Sequence, residues 1–126
     1  MSEWLFSKIF HPLILAVTLH LLIGCSMAPI KGTTVEQEKL VDGLYEGRYT
    51  HGLNSAIVKV TICEGKIVDI EVVRHFASWK GDRANDIIPQ KIIAEQSTDV
   101  DAVSGATNSS RVLMNAVQKA VEKAYR

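Results

Sequence analysis

Cysteine is nearly absent from this 126-residue chain: Cys25 and Cys63 stand far apart, outside any CxxC spacing. A paired-thiol redox centre and a haem-attachment motif are thereby excluded. The four histidines, His11, His20, His51 and His75, are scattered and form no HExxH pattern, which argues against a metal site. Neither sign of charge is in excess, with 14 Lys and Arg against 14 Asp and Glu, and the balance holds at 13 against 13 without Lys8 and Glu3 of the N-terminal stretch. Nucleic-acid binding needs a basic surface and is disfavoured. No internal repeat or low-complexity tract occurs. The length suits one small domain, whose limited core a bound cofactor could help to stabilise.

The N-terminal stretch has its own logic. Lys8 supplies a positive charge, residues 13–23 an apolar run, and Leu22-Ile23-Gly24 lead into Cys25. The run falls short of the roughly 20 residues that cross a bilayer and contains His20, so a secretion signal over residues 1–24 is favoured over an uncleaved transmembrane anchor. The LIGC text resembles a bacterial lipobox, which implies lipidation of Cys25 and an extracytoplasmic, membrane-anchored lipoprotein. Cys63 then has no disulfide partner. Residues 25–40, with Pro29, Gly32 and several charges, read as a polar tether, and residues 41–126 as the globular domain.

Within that domain, residues 43–50 alternate as a first strand, with Tyr45, Gly47 and Tyr49 on one side, and Gly47 marks a place where another group comes close. Ala56, Val58, Val60 and Ile62 form one apolar face of a second strand, and Val68, Ile70 and Val72 that of a third. Matching those faces pairs Ile62 with Lys66 and predicts a three-residue turn, Cys63-Glu64-Gly65, with Gly65 left-handed. Ile87-Ile88 and Ile92-Ile93 suggest a short helix with Pro89 in its first turn, ending near Ser97. From Asn108 onward, Val112, Leu113, Ala116, Val117, Ala120, Val121 and Ala124 keep to one helical stripe, with Asn115, Gln118, Lys119, Glu122 and Lys123 opposite. The expected fold is α+β, a small antiparallel β-meander packed against a C-terminal helix.

The stretch DAVSGAT at residues 101–107 opens that helix. Gly105 allows positive φ and Ala106 adds little bulk, so another molecule can approach the Thr107 hydroxyl at a helix N-terminus, where backbone N–H groups favour a phosphate. Alone, Ser104 and Thr107 read as capping residues. The stretch resembles, however, the flavinylation motif of the FMN-binding domain family, and DGLYEG at 42–47, EGKIVD at 64–69 and IPQKII at 88–93 fall in the family's order. Four ordered blocks make the resemblance specific over residues 41–126.

The resemblance implies FMN held covalently by a phosphoester on Thr107, installed by a separate Mg²⁺-dependent flavin transferase for which Thr107 is the substrate. Asp101, Ser104, Gly105 and Ala106 then serve recognition and geometry, and Asn108 and Ser109 the phosphate, with Arg111 as counter-ion. His75 and Trp79, with Tyr45 and Tyr49, are candidate flavin-ring contacts; Tyr45 and Tyr49 suit the core better. The implied role is electron transfer with membrane or extracytoplasmic redox proteins, a carrier more than an enzyme with its own substrate. Two alternatives stay open: a module binding FMN or another phosphate ligand non-covalently in sensing or storage, and a flavin-free structural lipoprotein.

Overall fold

A computed structural model of the chain describes residues 28–29 and 32–126; the signal and Cys25 lie outside them. Three antiparallel strands, β1 (Gly43–His51), β2 (Asn54–Cys63) and β3 (Lys66–Phe76), form a sheet in the order β1-β2-β3. Two helices follow, α1 (Ala84–Glu95), led in by a 3-10 turn at Gly81–Arg83, and α2 (Thr107–Ala124). The expected α+β meander with a C-terminal helix is what forms. Alternation places Ala56, Val58, Val60 and Ile62 of β2 inward, where all four are buried against α2. The helix returns its whole apolar stripe, Val112 to Ala124, to the same core. Each fully buried aliphatic side chain of this kind contributes about 1.5–3 kcal/mol.

The closeness of sheet and helix depends on Gly47. A Cβ there would lie 1.9 Å from the carbonyl oxygen of Ala116 and 2.7 Å from the nitrogen of Ala120, so the partner foreseen from sequence is the backbone of α2.

The β2–β3 register differs from expectation. Cys63 pairs with Lys66 and Ile62 with Ile67, leaving a two-residue turn, Glu64-Gly65, with φ of 53° and 71°. Positive φ at both positions is the turn geometry that matches strand twist. Such a turn would put the β3 residues Ile70 and Val72 on the wrong face, and the chain corrects this by an irregularity at Val68 that sets Val60 opposite Ile70 and Val58 opposite Val72. Ile67 is therefore inside and Val68 exposed. A second irregularity, at Val73, brings His75 opposite Ala56.

Asp42 secures the turn, its carboxylate accepting from the backbone N–H of Glu64 (3.0 Å) and Gly65 (3.1 Å). Those two bonds hold its carboxyl below the usual range. Because the folded-state pKa is depressed, the stabilisation is present above the unfolded carboxylate pKa and is lost as pH falls through the folded value. Asp42→Asn is expected to lower the melting temperature at neutral pH, with the gap to the parent closing in acid; a gap constant with pH in thermal melts would contradict this.

Two further expectations are corrected. Helix α1 starts at Ala84, not near Ile87, so Pro89 sits inside it, buried beside Ile88 and Ile92. Asn115 and Gln118, expected on the solvent side of α2, are buried, Asn115 to 2% exposure. Their burial has partners: Asn115 Nδ2 donates to the Pro29 carbonyl (2.8 Å) and Thr98 Oγ1 donates to Gln118 Oε1 (2.5 Å).

Pro29 belongs to a strap absent from the sequence reading, and Thr98, just after α1, exchanges hydrogen bonds with Thr33 of that strap. The described residues of the stretch read as tether lie on the domain, with Ala28, Val35 and Leu40 buried. Thr34 bridges to Ser97 and Leu40 to Tyr125, while Val41 N–H donates to the Ala124 carbonyl (2.9 Å). Gln96, left-handed at the end of α1, ties this region to the sheet edge, its side-chain amide exchanging hydrogen bonds with the Ile67 N–H (2.9 Å) and carbonyl (2.8 Å) as a strand residue would.

Candidate functional site

Thr107 is the first residue of α2, preceded by Ala106 in a non-helical conformation without a side-chain cap. The loop before it is a tight turn: Ala106 N–H donates to the Val103 carbonyl (2.9 Å), and Gly105 has φ of 78°. Open space surrounds the position of a Cβ on Gly105, so glycine is needed there for its conformation and not for room. Val103 and Ala106 are buried, leaving Ser104 and Gly105 at an exposed tip.

Ser110 pins the turn. Its buried hydroxyl donates to the Ala106 carbonyl (2.7 Å) and accepts from the Val103 N–H (3.0 Å). Ser110→Ala leaves that N–H buried and unsatisfied, with an expected loss of about 1–3 kcal/mol in urea unfolding; a loss below the lower figure would show that the loop holds itself. Thr107 differs from Ser110 in that its half-buried hydroxyl makes no intramolecular hydrogen bond among the described residues, and neither it nor Ser104 caps the helix.

Three segments converge at this point on an open cleft of about 430 Å³. The loop and helix supply Gly105, Ala106, Thr107, Asn108 and Ser109; the β1–β2 turn supplies Leu53 and Asn54; the end of β3 supplies Phe76, Ala77 and Ser78. Leu53 and Phe76 are 86% and 63% exposed, large apolar groups lining the same cleft as the Thr107 hydroxyl. The first-turn N–H groups of Thr107, Asn108 and Ser109 have no intrahelical acceptor by the geometry of any helix start, and the helix dipole there favours an anion. The cleft thus joins a hydroxyl, an anion-binding helix end and an apolar wall, within the size range of small-molecule sites.

The other residues expected at the site are placed less uniformly. Asn108 and Ser109 line the cleft, yet the Asn108 Oδ1 accepts from the Ala28 N–H (2.9 Å), and Ser109 packs on Gly81, where a Cβ would meet its hydroxyl at 2.3 Å. Arg111, the expected counter-ion, donates to the Ala28 carbonyl (3.3 Å). Asp101 is exposed, its backbone carbonyl accepting from Lys91 Nζ (3.1 Å), and it is not among the cleft-lining residues.

His75 turns instead toward α1. Its Nδ1 lies 2.5 Å from Asn85 Oδ1, its Nε2 is buried without a partner among the described residues, and it lines a separate polar cleft between β3 and α1. Trp79 is 80% exposed outside the Thr107 cleft, with Lys80 Nζ 5.3 Å from its ring centre. Tyr45 and Tyr49 pack against the core, and the Tyr45 hydroxyl donates to the Val41 carbonyl (2.9 Å). Sequence reasoning missed Leu53 and Phe76. A leucine between Gly52 and Asn54 in a hairpin turn was the available signal, since a large apolar side chain has no reason to occupy a turn unless something covers it.

The chain belongs to the FMN-binding domain family, whose model matches residues 52–122, from the Leu53 turn through most of α2. Both walls of the Thr107 cleft fall inside that match. Among curated proteins it is 34% identical over 90 residues to an uncharacterized protein of Treponema pallidum (strain Nichols), covering 68% of this chain and 24% of that protein. It is 38% identical over 78 residues to the NADH:acrylate oxidoreductase of Vibrio harveyi, covering 60% of this chain and 8% of that enzyme. The chain therefore spans a quarter or less of the length of these relatives. Among solved structures, the CPE2226 protein from Clostridium perfringens shares the fold, with a TM-score of 0.55 and 19% identity over 68% of this chain and 88% of that one.

FMN is the cofactor that the family implies, and the residues present fit it. The phosphate matches the N-terminus of α2, and the flat ring matches the apolar wall of Leu53 and Phe76.

Proposed function

We propose that the chain is an extracytoplasmic, membrane-anchored electron-transfer flavoprotein carrying FMN through a phosphoester on Thr107, with a lipid on Cys25 as its anchor. The observation that carries this reading is the Thr107 hydroxyl, without a partner among the described residues, at the junction of a helix N-terminus and an apolar-walled cleft. Similarity to a segment of an NADH:acrylate oxidoreductase supports a redox role.

FMN supplies reversible acceptance of one or two electrons. The chain's own residues do the rest. Gly105 in its left-handed turn shapes the loop that presents Thr107 to a flavin transferase, and Ser110 holds that turn in place. A flavin transferase acting on FAD would join Thr107 Oγ1 to the FMN phosphorus, with AMP as the leaving group and a base of the transferase taking the hydroxyl proton; the part of this chain is to present that oxygen. The first-turn N–H groups of α2 would meet the remaining phosphate charge, and Leu53 and Phe76 would exclude water from one side of the site. A covalent link keeps the cofactor with its carrier outside the cell, where a dissociated one would be lost by dilution.

The test is the intact mass of the protein co-produced with a flavin transferase and then denatured, with tryptic mapping of the Thr107 peptide. An increase equal to FMN less one water on that peptide is expected. Flavin released on denaturation would point to a non-covalent binding module, and a colourless unmodified protein to a structural lipoprotein.

A further inference from the structure

The strap decides where an anchor on Cys25 would leave the molecule. Without it the chain would depart at Val41, which bonds to Ala124 at the C-terminal end of α2, roughly 26 Å of helix away from Thr107 at 1.5 Å per residue. The described strap residues lead to the opposite end. Ala28 is fully buried there, with its N–H on Asn108 Oδ1 and its carbonyl on the Arg111 guanidinium, while Asn115 holds the Pro29 carbonyl. Asn108 itself lines the cleft.

Only three residue steps separate Ala28 from Cys25, a reach of about 10 Å at most, against about 50 Å for a free stretch over residues 25–40. Leu53 lines the cleft and Trp79 directly follows Ser78, which also lines it; the two are 86% and 80% exposed, with Lys80 over the Trp79 ring. Indole and lysine side by side, apolar body with charged tip, suit the headgroup region of a bilayer.

We infer that the clamp on Ala28 and Pro29 holds the cleft end of the domain against the lipid surface, so that the Thr107 site faces the membrane and does not swing on a long tether. The inference rests on the lipid-anchored reading above. It makes the bilayer surface a second binding partner of the Leu53–Trp79 face, and it points the β2–β3 hairpin away from the membrane. The ten residues of β2 set Cys63 roughly 30 Å from the cleft end at about 3.3 Å per residue.

The experiment uses the full chain, produced in a bacterium that lipidates exported cysteines and reconstituted in vesicles carrying a nitroxide quencher at the headgroup. One sample bears a thiol-directed fluorophore on native Cys63, and another carries it at Ser78→Cys in a Cys63→Ser background. The Ser78 probe is expected to be quenched several-fold more strongly than the Cys63 probe. Insertion of a Gly/Ser stretch of about 12 residues after Cys25, with a reach of about 20 Å, is expected to bring the two together. Equal quenching in the native-length chain, or a difference that the insertion leaves unchanged, overturns the inference. The mass of the N-terminal peptide separates the two levels: a Cys25 without lipid overturns the anchoring reading as well, whereas a lipidated Cys25 with equal quenching overturns only the orientation.

Discussion

Thr107→Val is expected to abolish covalent flavin while the domain stays folded. Valine reproduces the shape of threonine and removes only the hydroxyl oxygen. That hydroxyl has no intramolecular partner among the described residues, so its loss leaves no group unsatisfied. At a half-buried first helical position the stability change should lie within about 0.5 kcal/mol. The consequence for attachment is all or none, because no phosphoester forms without the oxygen. Thr107→Ser, which keeps an oxygen on Cβ, should retain flavin. Intact mass after denaturation reads attachment and a thermal melt reads folding; covalent flavin persisting in Thr107→Val would remove Thr107 from the site. Ser110, three residues on, is expected to behave oppositely, losing stability first, because its hydroxyl is fully engaged in holding the loop.

Gly47→Val should produce the largest loss of stability. The first atom added at Gly47 would sit 1.9 Å from the Ala116 carbonyl oxygen and 2.9 Å from the Ala120 Cβ, and both belong to the helix, which cannot rotate aside as a flexible side chain could. Either α2 lifts from β1 or the strand buckles. Overpacking of this kind costs about 3 kcal/mol or more. For a domain of this size that corresponds to a fall in melting temperature on the order of 10–20 °C. Since α2 carries Thr107, flavin loading should fall with stability. Gly105→Ala is the informative contrast: the space around it is open, so only the cost of its left-handed backbone remains, about 1–2 kcal/mol. A Gly47→Val variant that melts no lower than Gly105→Ala would show that the strand–helix approach is softer than its geometry implies.

One wall of the site is legible in the amino-acid sequence. The small-residue loop, the left-handed Gly105 and the helix opening at Thr107 follow from local chemistry, because each depends on a residue's own backbone preferences and its neighbours in sequence. The opposite wall is not. Leu53 and Phe76 come from the two ends of a hairpin more than 20 residues apart, and only the β2–β3 register places both beside Thr107. His75 shows the same limit from the other side. Its strand-end position is evident from sequence, but the irregularity at Val73 turns it toward Asn85 and a different cleft.

The fold divides in the same way. Alternation in β2 and the seven-residue stripe of α2 are periodic signals that name a buried face, and both faces are buried. Periodicity states which side of an element is apolar; it does not state what else will cover the polar side. Asn115 and Gln118 look solvent-facing in sequence because nothing local marks their partners, the Pro29 carbonyl of the strap 86 residues away and the Thr98 hydroxyl 20 residues away.

Sequence alone determined the α+β meander, the glycine turn and the threonine at a helix N-terminus, since these are set by backbone conformation and by the spacing of apolar residues. Tertiary structure decided the two β-irregularities, the apolar wall of the cleft, and the docking of the strap beside Asn108. Those depend on which distant surfaces meet and on which buried polar groups each can satisfy, and that matching exists only once the chain has packed.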